Sequence, residues 1–199
     1  MPSNLTRRLL LFMAATAAVA PAFPAQALTD SQARALVDQI IADIEVIINS
    51  GQSDAAILAE LERLFARYAD LNIMAQYALG ADGRTASAAD KRAFTEAFKG
   101  YITRKYGKRF REFIGGRIEV KSTRQIRAGY EVRTTAFLQG QSPFEVSFHV
   151  SDNSGRDLVF NVLFEGVNLL LTERTEIGAL LDQRNGNVRA LAIDLEKMG

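Results

Sequence analysis

Apolar residues recur with the period of an α-helix along the first half of the chain and with the period of a strand further on. From Thr29 to Asn49, the positions Leu36, Val37, Ile40, Ile41, Ile44, Ile47 and Ile48 form one stripe, which predicts an amphipathic helix. Thr29 with Gln32 three residues on is a capping box, and Asn49-Ser50-Gly51 ends the helix. Ser53 caps a second helix carrying Ile57, Leu58, Leu61, Leu64, Phe65 and Tyr68. A shorter third helix runs from Leu71 to Leu79 and stops at Gly80. Ser87 opens a long helix with Asp90 in its first turn, where a carboxylate favours the exposed N–H groups. Along it Phe94, Phe98, Tyr101, Ile102, Tyr106 and Phe110 fall at helical spacing, and Phe113 extends them.

Gly115-Gly116 closes this helical half, and the apolar period then drops to two. Four strands are predicted: Ile118–Gln125, Tyr130–Leu138, Phe144–Val150 and Leu158–Phe164. Ala128-Gly129, Gly140-Gln141-Ser142-Pro143 and Asp152-Asn153-Ser154-Gly155 carry turn chemistry between them, and such short connections imply antiparallel pairing. In the third strand Phe144, Val146, Phe148 and Val150 face inward, while Glu145, Ser147 and His149 face out. In the fourth, Leu158, Phe160, Val162 and Phe164 share one side and Val159, Asn161, Leu163 and Glu165 the other. Glu165-Gly166 permits a bulge or a reversal, Val167 to Leu171 is apolar again, and two short helices follow at Glu173–Arg184 and Val188–Met198. The expected architecture is α+β: helices packed on a curved four-stranded antiparallel sheet, with two short C-terminal helices.

Composition narrows the chemistry. Without cysteine, a disulfide scaffold, a thiolate nucleophile and a Cys-ligated zinc are excluded. Residues 1–27 read as a signal peptide, with Arg7-Arg8 as the basic region, Leu9 to Val19 as the apolar region and Ala25-Gln26-Ala27 as the cleavage site. Thr6-Arg7-Arg8-Leu9-Leu10 also satisfies a loose twin-arginine pattern, so export by either the Sec or the twin-arginine route is open. Residues 28–199 are then expected to form one exported domain. Loss of Arg7 and Arg8 turns the formal charge of +1 slightly negative, so nucleic-acid binding through bulk charge is not indicated. Arg104-Lys105-Tyr106-Gly107-Lys108-Arg109-Phe110-Arg111 is a cationic run that suits either a solvated face or contact with anionic headgroups.

Catalytic groups are scarce. The one histidine, His149, falls on the outward side of its strand, and no nucleophile elbow, phosphate loop or metal-ligand cluster is present. Asp70 and Asp82 lack the spacing of a calcium loop. Glu165 suits an anchor for the turn, bonding backbone N–H groups or Arg174, better than a catalytic acid. No catalytic residue, metal or cofactor is assigned, and the chain is not expected to be an enzyme.

Glu165-Gly166-Val167-Asn168-Leu169, followed by Arg174 and Ile177, resembles the strand-exit signature of the MlaC family, the periplasmic phospholipid carriers of the Mla (toluene-tolerance) transport system. Leu158 stands where that family usually has Trp, Asn161 where Asp is usual, and Asn168 where Ser is usual. A second match comprises Met74-Ala75, Leu79-Gly80, Arg84, Ser87 and Arg92-Ala93-Phe94, with Gly83 in place of a common Trp. The resemblance implies a monomeric soluble carrier in the periplasm that holds phospholipid as cargo. It implies two partners, the inner-membrane Mla ABC transporter complex and the outer-membrane MlaA–porin complex, and a role in maintaining outer-membrane lipid asymmetry.

Two acyl chains of about 16 carbons, at ~0.8 kcal/mol per methylene, represent on the order of 20–25 kcal/mol of exposure to avoid, so a carrier needs an internal apolar cavity. The expected wall is Val132, Thr134, Phe144, Val146, Phe148, Phe160 and Val162 of the sheet facing Phe94, Phe98, Tyr101 and Ile102 of the long helix. Met74 and Tyr77 of the third helix, with Val167 and Leu169 beyond the reversal, complete it. Two other readings remain open at this point. NTF2-like isomerases and dehydratases also cup a sheet with helices, although they need an inward carboxylate or histidine. An interaction module with a filled core is the third.

Overall fold

A computed structural model describes residues 27–107, 113 and 116–199. Residues 1–26 of the predicted leader lie outside these, as do Phe110, Gly115 and the cations Lys108, Arg109 and Arg111. Helix α1 (Asp30–Ile48) opens on the predicted capping box: the Gln32 N–H donates to the Thr29 hydroxyl at 3.3 Å, and Thr29 N–H to Gln32 Oε1 at 2.9 Å. Ser53 caps α2 (Asp54–Tyr68) and buried Asp70 caps α3 (Leu71–Leu79). After a single 3-10 turn at Asp82–Arg84, α4 (Ala88–Gly107) starts beside Ser87, whose hydroxyl accepts from Asp90 N–H at 3.1 Å. No helix among the described residues is long and apolar enough to cross a membrane.

Strands β1 (Arg117–Ile126), β2 (Gly129–Phe137), β3 (Phe144–Ser151), β4 (Leu158–Phe164) and β5 (Val167–Asn168) form one antiparallel sheet in sequence order. The sheet thus has five strands where four were expected. The fifth arises because Glu165 (φ 49°) and Gly166 (φ 80°) both adopt positive φ, the requirement of a type I′ hairpin turn, and this folds Val167-Asn168 back onto Phe164 and Leu163. A second departure lies in β4. Val150 opposes Val159 and His149 opposes Asn161, so Phe160 is the extra residue of a bulge and the inward phase shifts across it.

Helix α5 (Leu169–Asp182) begins four residues before the predicted Glu173. The Asn168 side chain accepts from Leu171 N–H at 2.9 Å and the Asn161 side chain from Leu170 N–H at 3.1 Å, which satisfies two donors of the first turn. Asn168 and Asn161 are the two positions where the sequence departs from Ser and Asp, and each keeps the acceptor oxygen those residues would supply. The chain ends in α6 (Val188–Leu195), capped by Asn187.

Burial separates two apolar cores. One joins α1 and α2 to the inner face of the sheet, around Val37, Ile40, Ile44, Val132, Val150 and Val159. The other joins α3, α4, α5 and α6, around Ala75, Phe94, Phe98, Ile177, Leu191 and Leu195. Phe164 packs against both. Arg174 of α5 clamps the end of α3 at the surface: its guanidinium lies 5.2 Å from the Tyr77 ring and donates to the Tyr77 carbonyl at 3.0 Å.

That clamp requires a glycine at position 80. Gly80 has φ 63° and ψ −136°, a conformation open to little else, and a Cβ there would lie 3.1 Å from the Arg174 guanidinium. Gly80→Ala is therefore expected to cost about 1–3 kcal/mol. Urea unfolding would register this as a lower midpoint at unchanged slope; an unchanged midpoint would refute the clamp.

Candidate functional site: an apolar cavity between two cores

The two cores do not meet everywhere. Between them lies a cavity of about 300 Å³, lined from one side by Ile40 and Ile44 of α1, Leu64, Phe65 and Tyr68 of α2, and Ala69 just beyond α2. Met74 of α3, Ile102 and Tyr106 of α4, and Leu169 of α5 line it from the other core. Ile118, Phe144, Val146, Phe148, Val159, Val162 and Phe164 of the sheet line it too, with Phe113. Exposed Gln141 and Glu165, in the β2–β3 and β4–β5 turns, stand at its rim beside half-buried Phe113, Phe144 and Phe164. Ile40, Ile44, Leu64 and Tyr68 of its wall are buried. Phe144 to Phe148 alone spans roughly 13 Å of strand, so the cavity is elongated along β3.

Its polar groups turn away from the interior. The Tyr68 hydroxyl donates to Asp43 at 2.6 Å and the Tyr106 hydroxyl to Glu173 at 2.5 Å, leaving only the two rings on the wall. Behind Tyr106 lies a charge cluster around buried Glu173. The Lys105 ammonium donates to Glu173 at 2.7 Å, to the Tyr101 hydroxyl at 3.0 Å and to Glu176. Burial opposes the charge on Lys105, but the bonds to Glu173, Glu176 and Tyr101 outweigh it and hold the pKa well above the ordinary lysine value. Burial raises Tyr106 as well, reinforced by Glu173, and pushes Tyr101 up to about 12 against the opposing bond from Lys105. Among the described residues no group of three or more His, Asp or Glu side chains could hold a metal. The arrangement presents hydrocarbon to its contents and a carboxylate only at the rim.

Seven of the predicted wall residues come together here: Met74, Ile102, Phe144, Val146, Phe148, Val162 and Leu169. The other eight do not. Phe94 stacks on Phe98 at 5.6 Å and Tyr101 lies tilted against Phe98 at 6.2 Å within the second core, while Ile102 and Tyr106 of the same helix line the cavity. Val132 and Thr134 share the inner face with Phe148 and Val146 but are fully buried under α1, Thr134 donating to the Val146 carbonyl at 2.8 Å. The bulge turns Phe160 out to the His149 ring, 5.6 Å away. Tyr77 lies under Arg174 at the surface, and Val167, on the edge strand, is 63% exposed.

Periodicity missed the contributions of α1 and α2, and those of Tyr106, Val159 and Phe164. Their apolar stripes were legible, but a stripe facing a cavity and one facing a filled core look alike in sequence. Arg174, one of the partners expected for Glu165, instead donates to the Tyr77 carbonyl. In the cationic run Arg104 closes α6 through the carbonyls of Leu195 (2.5 Å) and Met198 (2.8 Å), and Lys105 is the partner of buried Glu173. Neither is free for headgroups. His149 sits on the outer face, 3.5 Å from Glu131, with its pKa lowered by burial despite that carboxylate. Leu158, Gly83 and Asn161 do not line the cavity.

The model of the MlaC protein family matches residues 34–197. A solved structure with the same fold is the phospholipid-binding protein from Ralstonia solanacearum in complex with a phospholipid. It is 19% identical, superposes with a TM-score of 0.70, and covers 82% of this chain and 98% of that one. No curated protein sequence matches the chain.

Proposed function

This chain belongs to the MlaC family, and we propose that it is a periplasmic carrier that binds phospholipid by its acyl chains and shuttles it between the outer and inner membranes. The observation that carries the reading is the apolar cavity itself. At about 24 cal/mol per Å³, 300 Å³ of unfilled apolar space would cost on the order of 7 kcal/mol, comparable to the whole stability of a domain. Such a space is tolerable when hydrocarbon fills it. Both wall tyrosines direct their hydroxyls outward, so a chain inside meets no unpaired donor. The headgroup stays at the rim with Gln141 and Glu165, where water solvates it. An NTF2-like enzyme would need an inward acid or base, and the lining lacks one apart from Glu165 at the rim.

In this proposal the carrier exchanges cargo with the inner-membrane Mla ABC transporter complex and the outer-membrane MlaA–porin complex, works as a monomer and holds no cofactor. Transfer can be measured directly. The protein should move a fluorescent diacyl phospholipid from donor to acceptor vesicles at a rate proportional to its concentration. A rate equal to that of vesicles alone would refute the carrier role.

A further inference from the structure

We propose that proteolytic processing between Ala27 and Leu28 creates an N-terminal ammonium for which the fold already holds a seat: the Leu28 nitrogen pairs with the Asp152 carboxylate and ties the start of α1 to the β3–β4 turn. This seat presupposes the periplasmic reading above, because only an exported chain meets a signal peptidase. Ala25-Gln26-Ala27 carries the small-x-small pattern of a cleavage site, so Leu28 is the first residue left behind. Leu28 is held twice. Its side chain is only 8% exposed within the core under the sheet, and its N–H donates to Asp152 Oδ2 at 3.0 Å, across 124 residues of sequence. Ala27, one residue earlier, is exposed. Asp152 is set in place by its own turn, which the Gly155 N–H closes on the Asp152 carbonyl at 2.8 Å and the Ser154 hydroxyl fastens to Asp70 at the start of α3.

In the cut, one water splits the C–N bond. Ala27 departs as a carboxylate and the Leu28 nitrogen becomes an ammonium, charged below its ordinary pKa of about 7.7–8.0. The amide donor facing Asp152 thereby becomes a cation, and a hydrogen bond between two charged groups is roughly twice as strong as one between neutral groups. Asp152 also offsets a penalty. A positive charge just ahead of α1 opposes the helix dipole, whose positive end lies there, and the facing carboxylate cancels it. The register of the cut matters on both sides. One residue later, the ammonium would fall on Thr29, whose N–H is already committed to Gln32 Oε1 at 2.9 Å, and Leu28 would be lost from the core. One residue earlier, the nitrogen facing Asp152 would remain an uncharged amide.

Two measurements test this. The exported protein is collected from the periplasm and its first residue is read by N-terminal sequencing; it should be Leu28. Asp152→Asn, which keeps a side-chain carbonyl to accept from the nitrogen and removes the charge, is then compared in two backgrounds. One is the processed protein. The other is a chain begun at Gln26, which carries every helix and strand described above but leaves the Leu28 nitrogen an amide. At about pH 6.5, where a free α-amino group is mostly charged, the substitution should lower the melting temperature of the processed protein by about 2–4 °C more than that of the chain begun at Gln26. Equal losses in the two backgrounds overturn the pair, as does a mature protein that begins at any other residue. A chain that stays uncut inside the cell would instead sink the periplasmic reading, and the seat with it.

Discussion

Val146→Phe combined with Val162→Phe should empty the protein of lipid while making the lipid-free protein more stable. Both valines face the cavity, Val146 opposite Phe164 and Val162 opposite Phe148 on adjoining strands. The added rings occupy space otherwise open to methylenes. Excluding about four of these at ~0.8 kcal/mol each removes roughly 3 kcal/mol of binding, more than a hundredfold in affinity. Filling apolar space in the unliganded protein acts the other way and typically adds about 0.5–2 kcal/mol. Lipid content per protein should therefore collapse as the melting temperature of delipidated protein rises by a few degrees. The opposite signs separate blocked binding from misfolding. A fall in both would mean that the space is already filled and the rings overpack it.

Lys105→Met is expected to be the most damaging single substitution outside the cavity wall. Glu173 is fully buried, and one of its oxygens accepts from both Lys105 and Tyr106. Removing the ammonium leaves a buried carboxylate with the Tyr106 hydroxyl and no counter-charge, at a cost of about 3–5 kcal/mol. At about 2–4 °C per kcal/mol for a domain of this size, the melting temperature should fall by roughly 10 °C. Replacing Glu173 by Leu in the same protein should recover most of the loss, because the uncompensated charge goes with it. A drop of less than 2 °C in the single variant would show that Glu173 has other support.

The same cluster fixes the sign of an alkaline effect. Lys105 and Tyr101 hold their protons more tightly when folded than the free values of 10.5 and 10.0. Groups with raised folded pKa values contribute stability that is complete below the unfolded pKa and lost as pH climbs through the folded one. Their contribution should thus stay constant up to about pH 10 and decline above it. In Lys105→Met that decline should be shallower.

The helices were legible because their ends carry local signals. Thr29 with Gln32, Ser53, and Ser87 with Asp90 each bond the backbone donors that a helix start leaves open, which needs no tertiary context. The type I′ turn at Glu165-Gly166 was legible as a reversal for the same reason. Its consequence, a fifth strand, was not, because Val167 and Asn168 pair only through contacts with β4. The bulge at Phe160 inverted part of a strand whose alternation looked continuous. A bulge is a property of the partner strand's register as much as of its own residues, and one strand's sequence does not hold that register. Helix α4 shows the deeper limit: Phe98 and Ile102 are one turn apart and equally apolar, yet one fills a core and the other borders a cavity. Hydrophobic period reports that a residue leaves water, and the shape of what it meets is decided by two cores that fail to close.

Mass spectrometry of the intact protein, purified from its native compartment and sprayed under non-denaturing conditions, tests the acyl-chain cavity most directly. The wild-type chain should carry an adduct with the mass of one phospholipid, confirmed by organic extraction, and the Val146→Phe/Val162→Phe protein should lack it. Bare wild-type protein whose extract contains no phospholipid would contradict the account.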